Sequence, residues 1–241
     1  MIRLARAAVV IALATLGWTC GGSPTSPNGV VRFDFNFDTG PQGWTAGQAD
    51  YPVSYGPRDI PMEYQALPAE LDGSRHGLYL YAGGEGIFTF IKGRATGLRP
   101  QVSYQVSFQV EFATNTALDV VGAGGPPGEG TFVKAGVSAV EPTVVPVGSV
   151  YRMNIDKGDE GYGGDDALLL GNIGISRSSC QLEKSILTCP WQFKQLTSGA
   201  STMRVQAASD GSLWFLLGTD QMFFGPLPLY YTRFTATLTP E

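Results

Sequence analysis

The chain has 241 residues and a formal net charge of −5, and its 32 glycines and 16 prolines punctuate apolar runs. That length accommodates one large all-β domain with a substantial core and does not demand two. The mild acidity and the lack of any basic stripe argue against nucleic acid as a partner. The first element is an export segment. Arg3 and Arg6 precede an apolar run from Ala7 to Leu16, which ends in small polar residues. This is the layout of a secretory signal, and the run is too short to span a bilayer. Residues 1–20 are read as the signal, and residues 21–29 ("GGSPTSPNG") as a flexible tether.

Cys20 closes the signal. The stretch "LGWTCGG" resembles the lipobox of bacterial lipoproteins, in which a lipid is attached to the cysteine sulfur at the cleavage point. It departs from that pattern at Leu16, four residues before the cysteine instead of three, and at Trp18 and Thr19, where small residues are usual. The resemblance implies lipidation of Cys20 and attachment to the cell-envelope membrane. The alternative is ordinary cleavage and secretion.

Strand-like runs then follow one another. They are 30–37 ("VVRFDFNF"), 77–82, 86–93, 102–112, 131–140, 167–175, 191–196, 202–208, 212–218 and 229–238. Several alternate apolar and polar residues with period two, as half-buried antiparallel strands do. In "VSYQVSFQVEF", Val102, Tyr104, Val106, Phe108, Val110 and Phe112 point one way. Ser103, Gln105, Ser107, Gln109 and Glu111 point the other. The stretch "EYQALPAEL" (63–71) is compatible with a turn or two of helix. About ten strands, glycine-rich turns and no βαβ alternation indicate an all-β, two-sheet antiparallel sandwich over residues 30–241.

The stretches "GLRPQVSYQVSFQVEF", "FDFNFDTGPQGW" and "SLWFLLGTDQMFFGPLPLYYTRFTATL" resemble strand entries and ends of jelly-roll carbohydrate-binding modules and galactose-binding-like domains. The set "GWTAGQADYPV", "EFATN", "GEGTFVKAG" and "DKGDEGYGG" resembles an exported bacterial protein family of undetermined function. These resemblances imply a jelly-roll fold and an extracytoplasmic location. Many such modules hold a structural calcium with acids near the first strand and an aspartate in the last. Asp34 and Asp38 match the first requirement, but Thr232 and Arg233 stand where the final aspartate would be.

Cys180 and Cys189 are the two remaining cysteines, and an oxidising compartment makes a disulfide their expected state. A zinc site would need more ligands than two cysteines and the single His76 supply. The stretch 154–166 carries Asp156, Asp159, Glu160, Asp165 and Asp166 among four glycines. It fits no EF-hand register, and a glycine-aspartate β-roll requires stacked repeats. The expectation is a solvated polar hairpin and no cofactor, with a structural calcium as the less favoured alternative. "GAGGPPGEGTFVKAG" lacks the ending of a phosphate loop, and His76 has no Gly-x-Ser-x-Gly elbow to serve.

Aromatic residues are the stronger lead, because sugar rings stack on Trp and Tyr while hydroxyls need amides and carboxylates. Residues 43–67 form a long excursion that holds Trp44, Tyr51, Tyr55 and Tyr64, interleaved with Gln48, Asp50 and Asp59. Such excursions are disproportionately functional. Trp191 and Trp214 begin or lie within strands and read as core. The candidate ligand-binding set is Trp44, Asp50, Tyr51, Tyr64, Glu111 and Asn115, serving a saccharide or a similar polar ligand. Two other readings stand beside this non-catalytic one. One is a hydrolase or lyase using Glu111, Glu129 or Glu141 on a concave sheet. The other is a structural, partner-binding lipoprotein.

Overall fold

The computed structural model describes residues 29–84, 86–184 and 186–241. Residues 1–28, on which the readings of a signal, a lipidated Cys20 and most of a tether rest, lie outside the described residues. In chain order the strands begin with β1 (Val31–Asn36), β2 (Thr45–Ala49), β3 (Tyr51–Pro52), β4 (Glu63–Ala66), β5 (His76–Ala82) and β6 (Phe88–Ala95). Next come β7 (Ser103–Thr114), β8 (Thr131–Ser138), β9 (Val144–Val147), β10 (Val150–Met153) and β11 (Ala167–Asn172). The last are β12 (Gln181–Glu183), β13 (Ile186–Thr188), β14 (Gln192–Thr197), β15 (Met203–Gln206), β16 (Leu213–Gln221) and β17 (Leu227–Pro240). One short helix, α1 (Ala69–Asp72), and three 3-10 turns complete the described elements.

Two antiparallel sheets face each other. The larger has seven strands, in the order β14-β7-β17-β5-β4, with β1 also pairing β17 and β15 also pairing β7. The smaller has five, in the order β11-β8-β16-β6-β2. This is an all-β sandwich of the jelly-roll kind. Every one of the ten strand-like runs contains a strand. Seven further strands, β2, β3, β4, β9, β10, β12 and β13, are only two to five residues long. Alternation cannot be counted over so few positions.

The alternation of β7 is realised as read. Tyr104, Val106, Phe108, Val110 and Phe112 are buried between the sheets, with Phe33, Phe35, Phe37, Phe215, Phe234 and Ile91. The turn of helix allowed within the 63–71 stretch is α1, which Pro68 separates from β4. One expectation is corrected. The 43–67 excursion is not free of strand, since β2 joins the smaller sheet, β4 the larger, and β3 a third.

That third sheet, in the order β3-β10-β9, belongs with residues 139–166, which cover the outer face of the smaller sheet. Beneath the cover lies a second apolar cluster of Ala49, Phe88, Phe90, Ile155, Ala167 and Leu216, packed by Val144 and Met153. The 154–166 segment therefore links β10 to β11 across two sheets and is not a hairpin. Its acids serve the turn. Asp156 accepts from the backbone N–H of Gly158 (2.9 Å) and Asp165 (3.1 Å), and Asp166 accepts from that of Asp156 (2.8 Å). The N–H groups of Asp165 and Gly158 hold the Asp156 carboxyl below the ordinary aspartate value.

Candidate functional site

The six residues singled out from sequence do not meet at one place. Trp44 is 2% exposed and lies edge-on to Phe35, Phe37 and Phe234, at ring-centroid distances of 5.2, 5.4 and 5.1 Å. Its ring fills the space above Gly93, where any Cβ would stand 2.4 Å from Trp44 Cε2. Trp44 therefore offers no ring face to a ligand. Tyr51 is 3% exposed, pairs with Tyr151 across β3 and β10, and packs on its ring at 5.0 Å. It too is closed to stacking.

Glu111 and Tyr64 belong to the outer face of the larger sheet. Glu111 accepts from Arg75 Nη2 (3.3 Å) and from the Thr232 hydroxyl (2.8 Å). Thr232 occupies a bulge in β17, which turns its hydroxyl toward β7. The exposed ring of Tyr64 stacks on His76 at 5.0 Å, and its hydroxyl donates to the Asp38 carbonyl (2.7 Å). Arg75 lies over Phe193 at 4.9 Å. The remaining glutamates are elsewhere. Glu129 accepts from the Asp119 N–H (2.7 Å), while Glu141 binds Lys92 Nζ (2.6 Å) on the opposite side of the sandwich from Glu111. The three glutamates named as acid-base candidates thus share no cleft.

Asn115 lines a cavity of about 470 Å³ with Pro68, Glu70, Ser179, Gln181, Thr188, Cys189, Pro190 and Trp191. One wall is the β12–β13 hairpin, closed by the Cys180–Cys189 disulfide with its α-carbons 4.1 Å apart. The opposite wall is α1, tied across the cavity by Glu70 Oε1, which accepts from the Trp191 N–H (2.7 Å). Trp191, read as core, packs against the cluster of Leu67, Ala113 and Tyr230 and also lines this cavity. Its ring is half-buried and meets Tyr230 edge-on at 5.0 Å, leaving part of it on the cavity side. The sequence hides this because α1 and Trp191 are 121 positions apart by the Glu70 contact.

Asp50 marks a third place, which sequence reading missed as a cluster. Its backbone is left-handed (φ 66°), and its carboxylate, 8% exposed, pairs with Arg152 Nη1 (3.2 Å) and Lys157 Nζ (2.8 Å). Lys157 also reaches Asp220 Oδ2 (2.7 Å), which takes a second hydrogen bond from Lys134 Nζ (3.0 Å). Side-chain exposures of Lys134, Asp220 and Lys157 are 0%, 1% and 5%. Two lysines and two aspartates are thus interred under the cover, beside Phe88. Burial alone would depress the Lys157 ammonium, but Asp220 and Asp50 outweigh it and hold its pKa above the ordinary lysine value. For Lys134 burial outweighs the attraction of Asp220, and its pKa is lowered. Lys134 and Asp220 stand in β8 and β16, Asp50 and Lys157 in connections between strands, and nothing in their spacing linked them.

No protein-family model and no curated protein sequence matches this chain. Among solved structures, the enzymatically active domain of bacteriophage CBA120 tailspike protein 4 overlaps with TM-score 0.35 and 11% identity, over 82% of this chain. The chain spans only 20% of that protein. TmCBM61, solved with β-1,4-galactotriose, overlaps with TM-score 0.37 and 10% identity, over 83% of this chain and 92% of its own. CBM28, a carbohydrate-binding module specific for non-crystalline cellulose, gives TM-score 0.36 and 12% identity, over 92% and 96%. Overlaps this loose decide nothing about ligand or activity, and the sandwich rests on the strand pairing itself.

Proposed function

We propose that this is a non-catalytic extracytoplasmic binding domain for a saccharide, held in the cavity between α1 and the disulfide-closed hairpin. The observation that carries the reading is the half-buried Trp191 ring beside Glu70, Asn115, Gln181, Ser179 and Thr188. A sugar needs that combination, an apolar face to stack on and nearby amides, hydroxyls and a carboxylate to meet its hydroxyls. The disulfide in the cavity wall supports an oxidising compartment, in keeping with the signal read at residues 1–20. Attachment through a lipid on Cys20 is part of the same proposal, and metabolic labelling with a fatty acid tests it. An unlabelled, soluble product would remove the anchor.

A glycan array on the folded protein tests the binding reading, and one class of saccharide should be retained. Trp191→Ala and Asn115→Ala should each weaken that binding, the tryptophan by about tenfold or more, as loss of an aromatic anchor does. If no glycan binds, or if both variants bind as wild type does, the cavity is not the site.

We also propose that the 154–166 segment works without calcium, since the carboxylates of Asp156 and Asp166 are engaged by backbone N–H groups. Millimolar calcium should then leave the melting temperature unchanged, because a ligand of the folded state alone must raise it. A rise of many degrees would reverse this assignment.

A further inference from the structure

Lys134 and Asp220 form the most deeply buried ion pair among the described residues. They stand on neighbouring strands, with Lys134 opposite Gly218 and Asp220 opposite Phe132 in the β8–β16 ladder. That diagonal step puts both side chains on the same face, under the 139–166 cover. Their surroundings are unequal. Lys157 directs its ammonium at Asp220, Asp50 and the Gly158 carbonyl (3.1 Å). Lys134, among the described residues, donates to Asp220 alone. An ammonium has three donors, and a buried one with a single acceptor is costly in a way that a neutral amine is not. Burial accordingly favours the neutral amine at Lys134.

We propose that Lys134 and Asp220 condense to an intramolecular amide, an isopeptide cross-link between β8 and β16. A proton passes from Lys134 Nζ to Asp220 Oδ2 across the 3.0 Å hydrogen bond, leaving an amine against a carboxylic acid. The Nζ lone pair attacks Cγ and the Nζ–Cγ bond forms. Lys157, 2.7 Å from Oδ2, protonates the departing oxygen and regains its proton from Nζ. The Cγ–Oδ2 bond breaks, and Oδ2 leaves as water with one proton that began on Lys134 and one from Lys157, which a second Lys134 proton replaces. One cation and one anion become a neutral amide and a water, so no oxidant, reductant or cofactor enters.

Three physical features favour this step. The reaction removes a buried ion pair, whose desolvation is costly. The two groups are already held in contact, so little orientational freedom is lost on reaching the transition state. Finally, the Lys157–Asp50 pair that remains is charge-balanced, and the water has an exit through the adjoining cavity of about 330 Å³, which Asp50 and Lys157 line.

Mass spectrometry of the folded, purified protein tests the bond. Once the two hydrogens lost to the disulfide and the processing of the N-terminus are allowed for, the mass should fall short by one water, and a protease digest should contain a branched peptide joining the Lys134 and Asp220 segments. Asp72–Gly73 and Asp210–Gly211 are other places where an aspartyl chain can lose water, by succinimide formation. Lys134→Arg keeps the charge, cannot form the amide, and should restore the full mass. Should that variant fail to fold, the wild-type digest still decides. Separate linear peptides carrying Lys134 and Asp220 from the folded wild type, or a water loss that persists in Lys134→Arg, overturn the proposal.

Discussion

Trp44→Ala should lower the stability of the folded protein by about 3–5 kcal/mol, the cost of truncating a fully packed aromatic and leaving a cavity. In a protein of this size that corresponds to a fall in melting temperature of roughly 6–20 °C. The reason is local and specific. Trp44 is the ring on which Phe35, Phe37 and Phe234 converge, and Gly93 is recessed beneath it. Relaxation cannot refill the space, because three neighbours are large planar rings anchored on two different strands and a 3-10 turn. Trp44→Phe should cost much less. It retains an aromatic and removes an indole N–H that has no hydrogen-bond partner in its buried position. Thermal unfolding followed by near-ultraviolet circular dichroism reads both. A Trp44→Ala protein with unchanged melting temperature would contradict the core placement and return the ring to the list of binding residues.

Lys157→Met should cost a comparable amount, about 3–5 kcal/mol, by a different route. The methionine fills the volume, so the loss is not one of packing. It strands the Asp50 carboxylate, whose other cation, Arg152, is half-exposed. A double variant, Lys157→Met with Asp50→Asn, should recover much of the loss, because no unpaired charge then remains under the cover. Urea unfolding midpoints of the set measure this, and additive losses would show that the two residues do not interact. The pH dependence has a fixed sign. Lys157 has a raised folded-state pKa, so its contribution is complete below the unfolded value of about 10.4 and is lost as pH rises through the folded value. The gap between wild type and Lys157→Met should therefore narrow on the alkaline side and stay constant on the acid side of that window.

How much of this was legible beforehand differs between fold and site. The long strands were legible for two reasons: burial of one face gives β7 a period of two along most of its length, and burial on both faces makes β16 a nearly continuous apolar run. The disulfide was legible because two cysteines and a stretch with the layout of an export signal leave few alternatives. The site residues were read less well, for one recurring reason. An aromatic in a glycine- and proline-broken stretch can plug a core or face a ligand, and its chemistry is the same in both roles. Trp44 and Tyr51 looked like binding residues and are packed inside, whereas Trp191 looked like core and borders a cavity.

Period, length and cysteine count are properties of short stretches of chain, so they carried the all-β class, the run of long strands and the Cys180–Cys189 pairing. Which face each strand presents to a neighbour depends on pairings between distant segments, and no stretch of chain records those. Lys134 and Asp220 are 86 positions apart, and Glu111 and Thr232 are 121. The buried charges, the bulge that turns Thr232 toward Glu111, and the cavity beside Asn115 exist only once the sheets have closed and the cover is in place. Burial is a collective property of the folded chain, and a lysine in an alternating strand is an ordinary surface residue until a third sheet lies across it.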